Sequence, residues 1–327
     1  MSTPSTRWIP SARAVPDRID RGIALAVGAA LISGLAIYVN ASAVKALPDA
    51  AVFTTLKNAV AAALLLGLVV ASGAAGDVRR IERRQWPAVL AVGVIGGSIP
   101  FILFFTGLAQ ASAPSAAFIQ KTLFIWVALL AVPFLGERLG LATLAGLALL
   151  IVGQALVLPP NGITWGLGET LILIATAFWA VETVLVRRLL ATVPSSVMGA
   201  LRMGIGLLVL VGYLAVSGRL GSIAALDGSQ WAWVLVTGGI LAGYVATWFA
   251  ALERAPASVV TSVLVLGAVV TGALTAATKG TAPSPTVVAG YLLILLAAAA
   301  IVTVSRRAAR GVAERAHPAR LDDAHTA

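Results

Sequence analysis

Long apolar stretches separated by short polar segments run through almost the whole chain. A transmembrane helix needs about 20 apolar residues to cross a hydrocarbon core about 30 Å thick. Prolines and charged residues fall between the stretches, where they end helices and form loops. The predicted spans are residues 22–44, 50–71, 87–108, 114–134, 140–158, 166–186, 194–216, 230–252, 256–277 and 283–304. The pattern therefore predicts an all-α integral membrane protein with ten transmembrane helices.

The composition agrees with a membrane location and limits the chemistry of the buried part. The chain is 59% hydrophobic and only 11% charged, whereas soluble domains have about 25% charged residues. There is no cysteine, and the only two histidines, His317 and His325, lie in the polar C-terminal tail. Thiolate metal sites and Ser–His catalysis are therefore excluded within the bilayer. We predict no catalytic residue, metal site or cofactor, and hence no enzyme.

The net charge of +10 is distributed unevenly along the chain. With the N-terminus in the cytoplasm, 17 of the 23 lysines and arginines fall on the cytoplasmic side. The three on the outer side are Lys45, Arg219 and Lys279, and the three inside spans are Lys57, Lys121 and Arg202. Because cytoplasmic loops are enriched in cations, we predict a multi-pass protein of a bacterial-type inner membrane with both termini in the cytoplasm. This topology explains the positive charge without nucleic acid as a partner.

The chain resembles itself at an offset of about 144 residues. With a shift of one residue, Trp86 falls on Trp231 and Lys57 falls on Arg202. Each repeat contains five predicted spans, and because five is odd, the second repeat must enter the membrane upside down. Inverted repeats are common in secondary transporters, whose substrate site lies near the membrane midplane where the repeats meet. The pattern therefore favours transport.

One stretch of the first repeat resembles a known family. The segment Ala116–Thr122 and the later run Pro133-Phe134-Leu135-Gly136-Glu137-Arg138-Leu139 are similar to the EamA family of the drug/metabolite transporter superfamily. The second repeat departs from this pattern, because Gly280-Thr281-Ala282-Pro283 lacks the acid. The resemblance implies a ten-helix, EamA-like carrier that moves small metabolites by alternating access, often outward.

The resemblance and the repeat together predict four regions of the chain. Cytoplasmic tails are expected at residues 1–21 and 305–327. The first repeat is expected at residues 22–158, and the second, inverted repeat at residues 166–304.

The cations inside the spans are the candidate functional residues. A lysine or arginine near the bilayer centre costs about 2.5–3.5 kcal/mol, so each needs a partner or a wet cavity. Glu182 lies at a depth that matches Arg202, which predicts an ion pair; alternatively, Glu182 is a proton-coupling carboxylate. Lys57 and Lys121 have no acid at matching depth. They either extend outward along their stems or line a cationic cavity that receives a carboxylate or phosphate.

The amides beside the two lysines and several aromatic residues complete the predicted substrate site. The aromatic residues have ordinary helix packing as an alternative role. The candidate substrate-binding residues are Lys57, Asn58, Gln120, Lys121, Arg202, Trp179, Tyr244 and Trp248.

These observations lead to a functional hypothesis. We predict a secondary active transporter, and an exporter by direction, of an anionic or zwitterionic metabolite such as an amino acid or organic acid. The alternatives are a channel-like facilitator for small anions and a lipid- or drug-translocating member of the same superfamily. The predicted partners are the small-molecule substrate and the lipid bilayer, with a proton as the candidate coupling ion. The sequence carries no signal for an oligomeric state.

Overall fold

The computed structural model describes residues 14–47, 49–158 and 164–316. Within these ranges the chain forms 13 α-helices and no β-strand. The helices are α1 (Ala14–Ala46), α2 (Ala50–Ala71), α3 (Trp86–Gly97), α4 (Ile99–Leu108), α5 (Ala113–Lys121), α6 (Leu123–Leu135), α7 (Leu141–Val157), α8 (Leu167–Leu189), α9 (Ser195–Val216), α10 (Gly228–Arg254), α11 (Ala257–Leu264), α12 (Leu266–Lys279) and α13 (Pro285–Ala316). Short 3-10 turns at Ala74–Arg80, Arg83–Gln85 and Leu220–Ala225 join some of them.

These helices make ten membrane spans, because three spans consist of two helices in succession: α3–α4, α5–α6 and α11–α12. Nine of the spans in the described ranges have at least 18 residues and an apolar composition. The tenth, α7, has 17 residues and a length of about 26 Å, at the short end of the range for a spanning helix. The predicted all-α, multi-pass membrane fold is confirmed.

The two repeats pack against each other with two-fold pseudosymmetry, so that each contact between them occurs twice with the repeats interchanged. Helix α1 of the first repeat packs on α10 of the second, and α8, the equivalent of α1, packs on α3 and α4, the equivalents of α10. In the same way, α2 contacts α10 while α9 contacts α3, and α2 contacts α9 directly. Because each repeat has five spans, the axis relating the repeats lies in the membrane plane. The repeats are therefore inverted, as predicted.

Glycines at equivalent positions allow this close packing. Gly93 lies against Ile205, and Gly238, its equivalent, lies against Val60, the equivalent of Ile205. A β-carbon at either glycine would collide with the side chain opposite. Small residues of this kind let membrane helices approach closely, so the same contact is built twice.

The bundle has two faces, defined by the charged residues at the helix ends. We call one the arginine face; it carries Arg79, Arg80, Arg83, Arg84, Arg187, Arg188 and Arg254. We call the other the opposite face; it carries Lys45, Arg219 and Lys279. Each face contains a contact between the repeats. Gln85 Nε2 donates a hydrogen bond to Thr192 Oγ1 at 2.6 Å on the arginine face, and Gln230 Nε2 donates to the Ala46 carbonyl at 3.0 Å on the opposite face.

Two of the broken spans are interrupted at equivalent positions of the repeats. The α5–α6 span breaks at Thr122 and the α11–α12 span breaks at Val265, where tighter turns replace the α-helical hydrogen bonds. A third break, at Ser98, precedes Pro100, which lies in the first turn of α4 and has no backbone N–H to continue the preceding helix. Broken helices free backbone groups inside the membrane, where transporters place their binding sites. The breaks therefore indicate the middle of the bundle as the place to look for a site.

Candidate functional site

A cavity lies at the centre of the bundle, with walls from both repeats. Its lining comes from α1, α2, α4, α5 and α6 of the first repeat and from α8 to α11 of the second. The centre of a water molecule can occupy about 90 Å³ of this space. One buried water needs about 10–15 Å³ by this measure, so the cavity has room for several waters or one small metabolite. We call it the central cavity.

Lys57 contributes an ammonium group to the central cavity. Its side chain is only 3% exposed, and Nζ donates a hydrogen bond to Asn40 Oδ1 at 3.1 Å. Nζ also lies 4.2 Å from the centre of the Phe105 ring, a distance at which the ring face attracts a cation. The one acid that lines the cavity, within the described ranges, is Glu182. Among the described residues, Lys57 therefore has an amide and an aromatic ring beside it, and no carboxylate.

Glu182 forms an ion pair with Arg202. Arg202 Nε donates to Glu182 Oε1 at 2.5 Å and Nη2 donates to Oε2 at 3.2 Å, which is a bidentate geometry. Nη2 also donates to the Gly96 carbonyl at 2.8 Å. A β-carbon at residue 96 would overlap the Glu182 side chain, so glycine is required there. The two buried charges compensate each other, and the role of Glu182 as a proton carrier stays a prediction.

Aromatic side chains form two walls of the central cavity. On one side Trp179 packs edge-on against Phe101, with ring centres 5.4 Å apart, and its Nε1 donates to the Gly96 carbonyl at 3.2 Å. On the other side Tyr244 and Trp248 are stacked with ring centres 5.9 Å apart. Stacked, rigid rings offer broad apolar and cation-attracting surfaces at small entropic cost.

Gln120 supplies an unused acceptor to the central cavity. It lines the cavity from the end of α5, and its Oε1 is buried without a hydrogen-bond donor among the described residues. Leaving a buried acceptor unsatisfied costs about 1–3 kcal/mol. This oxygen is therefore suited to accept a hydrogen bond from an N–H or O–H group of a ligand.

Two of the predicted substrate-binding residues do not line the central cavity. Lys121 is 2% exposed and its Nζ donates to Ser33 Oγ at 2.8 Å, close to Gly267 of the second repeat. Asn58 points away from the cavity, and its Nδ2 donates to the Gly97 carbonyl at 3.1 Å. Both lysine ammonium groups thus stay inside the bundle instead of extending toward a membrane surface, but only that of Lys57 reaches the cavity.

Asn40 is a cavity residue that the sequence analysis did not select. It lies on α1 seven residues after Ser33, which also lines the central cavity. Polar residues seven apart lie on one face of a helix. This spacing within an otherwise apolar span is the signal that could have identified both residues.

The Gly136-Glu137-Arg138 turn joins the repeats on the arginine face. Glu137 accepts hydrogen bonds from the backbone N–H groups of Ala257 at 2.6 Å and Ser258 at 3.2 Å, and from the Ser258 hydroxyl. A carboxylate is well placed at the beginning of a helix, where backbone N–H groups lack partners. The turn therefore caps α11 of the second repeat and lies outside the central cavity.

Comparisons with known proteins identify the same architecture. A solved structure titled "Crystal structure of protein" has 21% sequence identity to this chain and a TM-score of 0.70, with 89% of this chain and 97% of that chain covered. This likeness shows a shared fold. No curated protein matches the chain. The model of the EamA-like transporter family matches residues 20–158 and again residues 166–303. Both repeats are covered, so the chain belongs to the EamA-like transporter family of the drug/metabolite transporter superfamily.

Proposed function

We propose that this protein is a secondary active transporter that exports a small anionic or zwitterionic metabolite, such as an amino acid or organic acid. The observation that carries this proposal is the charge of the central cavity. Its one described acid, Glu182, is engaged by Arg202, whereas the Lys57 ammonium has the neutral Asn40 amide and the Phe105 ring as its described partners.

The charge balance favours an anionic group at Lys57. Glu182 and Arg202 cancel each other, so one positive charge remains in the cavity. A buried charge without a counter-ion is costly in a membrane interior. A bound carboxylate or phosphate supplies the counter-ion and a charge-assisted hydrogen bond, so binding such a group is favoured over binding a cation.

A zwitterion also finds a second partner in the cavity. The free acceptor of Gln120 suits a substrate ammonium or hydroxyl group. The stacked rings of Tyr244 and Trp248 suit an apolar side chain or a cationic centre. An amino acid that binds its carboxylate at Lys57 would use both features.

Alternating access and an inner-membrane location complete the proposal. The inverted repeats meet at the central cavity, as in transporters that expose one site to each side in turn. The arginine face is assigned to the cytoplasm because cations are enriched there, which puts both termini inside. In this proposal the Glu182–Arg202 pair is structural, and a proton is the candidate coupling ion.

Counterflow in proteoliposomes tests this function. Vesicles that contain the purified protein are preloaded with amino acids, organic acids or sugar phosphates, and uptake of the labelled compound is measured. We expect saturable uptake that internal substrate stimulates, and a loss of about tenfold or more in Lys57→Gln. Lys57→Arg, which keeps the charge, is the matched control and should lose less.

Two results would contradict the proposal. Undiminished uptake in Lys57→Gln would remove the anionic site at that residue. Uptake that neither saturates nor responds to internal substrate would favour the channel-like facilitator.

A further inference from the structure

A second, larger cavity opens at the opposite face. It lies between α1, α5, α7, α12 and α13, and the centre of a water molecule can occupy about 440 Å³ of it. Its lining and that of the central cavity share one described residue, Ile37. We call it the opposite-face cavity, and it is a separate space on the other side of α1.

The opposite-face cavity is lined by cations alone among charged residues. Lys45, at the end of α1, and Lys279, at the end of α12, both line it, and no acidic residue does within the part of the chain that the structure describes. Arg219, the third cation of this face, pairs instead with Asp49 at 3.3 Å. The two cations of this face that have no acidic partner among the described residues therefore meet at one cavity.

Two uncharged polar side chains also line this cavity and form no side-chain hydrogen bond with the described residues. Gln154 of α7 is 4% exposed and lines the cavity, and its amide forms no side-chain hydrogen bond with any described residue. Tyr291 of α13 lines the same cavity, and Gly272 leaves room for its hydroxyl, because a β-carbon there would overlap it. The amide of Gln154 and the hydroxyl of Tyr291 can both donate hydrogen bonds, so the site is suited to an acceptor-rich ligand.

The α5–α6 and α11–α12 spans contact each other along an interface, and a carboxylate of the chain occupies the end of this interface on the arginine face. On the arginine face, the Glu137 carboxylate of the first repeat joins the beginning of α11. The equivalent position of the second repeat, 144 residues later, is Thr281, which lines the opposite-face cavity. One end of this interface is thus closed by a carboxylate of the chain, while the other end offers cations and donors and has no carboxylate among the described lining residues.

We propose that the opposite-face cavity is an anion-binding site that takes a carboxylate or phosphate group between Lys45 and Lys279. Lysine ammonium groups and amide or hydroxyl donors are the partners that such oxygens prefer. The same chemistry is offered by a small soluble anion and by the headgroup of an anionic lipid. The proposed site is separate from the central cavity, so this proposal does not depend on substrate binding by Lys57.

Because the sequence contains no cysteine, a single introduced cysteine can be labelled with charged thiol reagents to test this proposal. Thr281→Cys is the only thiol of its variant, and the full chain is placed in nanodiscs of phosphatidylcholine. The rates of reaction with anionic sulfonatoethyl and cationic trimethylammonioethyl methanethiosulfonate are then compared. We expect an anion-to-cation rate ratio above that of Ser222→Cys, an exposed control on the same face. Adding Lys45→Gln and Lys279→Gln should lower the ratio at Thr281→Cys about fivefold or more, since a cationic cavity concentrates anions.

Protection against a neutral thiol reagent identifies the source of the anion. Slower labelling of Thr281→Cys in millimolar inorganic phosphate indicates a soluble ligand, and slower labelling in phosphatidylglycerol nanodiscs indicates a lipid headgroup. The Lys57→Gln variant should give the same results, which separates this site from the proposed transport function. An unchanged rate ratio in the double lysine variant, or labelling that neither phosphate nor phosphatidylglycerol slows, overturns the proposal.

Discussion

Lys57 and Arg202 occupy equivalent positions in the two inverted repeats, but their partners differ in charge. Arg202 is held by the carboxylate of Glu182 in a bidentate pair, whereas Lys57 is held by the neutral amide of Asn40. Both side chains are almost fully buried and both reach the central cavity. The repeats thus each place one cation beside the central cavity, and an acidic partner compensates only Arg202.

In the proposed function, this difference distinguishes the structural charge of Arg202 from the ligand-binding charge of Lys57. The planar guanidinium of arginine matches a carboxylate with two parallel hydrogen bonds, so the pair is suited to linking α8 to α9. The lysine ammonium has three donors, of which the described contacts use one. Lys57 therefore retains the capacity to bind a ligand, and three predictions test this division of roles.

The largest effect is expected from breaking the compensated pair. Glu182→Gln leaves the Arg202 charge buried without its counter-ion, so the free energy of unfolding should fall by about 3–5 kcal/mol. Reversible denaturation in detergent micelles measures this change. The double variant Glu182→Gln/Arg202→Gln should recover more than half of the loss, because it leaves no unpaired charge. A loss below about 1 kcal/mol in the single variant would mean that the pair does not hold the fold.

An acidic partner for Lys57 should make its surroundings resemble those of Arg202. In Asn40→Asp, the new carboxylate would neutralise the ammonium and compete with an anionic substrate. A hydrogen bond to a charged group contributes about 1.5–3 kcal/mol, so transport in proteoliposomes should fall about 10- to 100-fold. The control is Asn40→Gln, which keeps a neutral amide and should retain more activity. Wild-type transport by Asn40→Asp would show that the uncompensated charge is not needed.

A smaller effect is expected at the contact that joins the repeats on the arginine face. Glu137→Gln removes the charge from the cap of α11 and should lower the free energy of unfolding by about 0.5–2 kcal/mol. The matched control is Glu82→Gln on the same face, where the exposed pair with Arg84 should contribute under about 1 kcal/mol. Equal effects of the two substitutions in the unfolding experiment would mean that the Glu137 cap of α11 does not stabilise the contact between the repeats.

Several of these features could be predicted from the sequence, because membrane insertion leaves a strong pattern. The spans and the inverted repeat follow from apolar length and from an odd number of spans. Contact between Glu182 and Arg202 could be anticipated because only one acid lies at the depth of Arg202. Charges inside a bilayer are costly enough that few arrangements of them are allowed.

Other features depend on side-chain direction, which the sequence pattern does not give. Lys57 and Lys121 look alike in the sequence, but the break of the fourth span at Thr122 leaves Lys121 against Ser33. Asn58 follows Lys57 directly, yet a turn of about 100° per residue directs it to Gly97 instead of the cavity. Asn40 was missed because an uncharged amide costs less free energy inside a membrane than a charge does. A single amide in an apolar span therefore does not by itself indicate a site.

The central claim, that the Lys57 ammonium binds the anionic group of the substrate, is tested most directly by a double-mutant cycle. Apparent affinity in the counterflow assay is measured for an acidic substrate and for its neutral amide analogue, in wild type and in Lys57→Gln. The account predicts a coupling free energy of about 1.5–3 kcal/mol between the ammonium and the substrate carboxylate, so that wild type prefers the acid and Lys57→Gln loses that preference. A coupling of zero, with the same preference in both proteins, would contradict it.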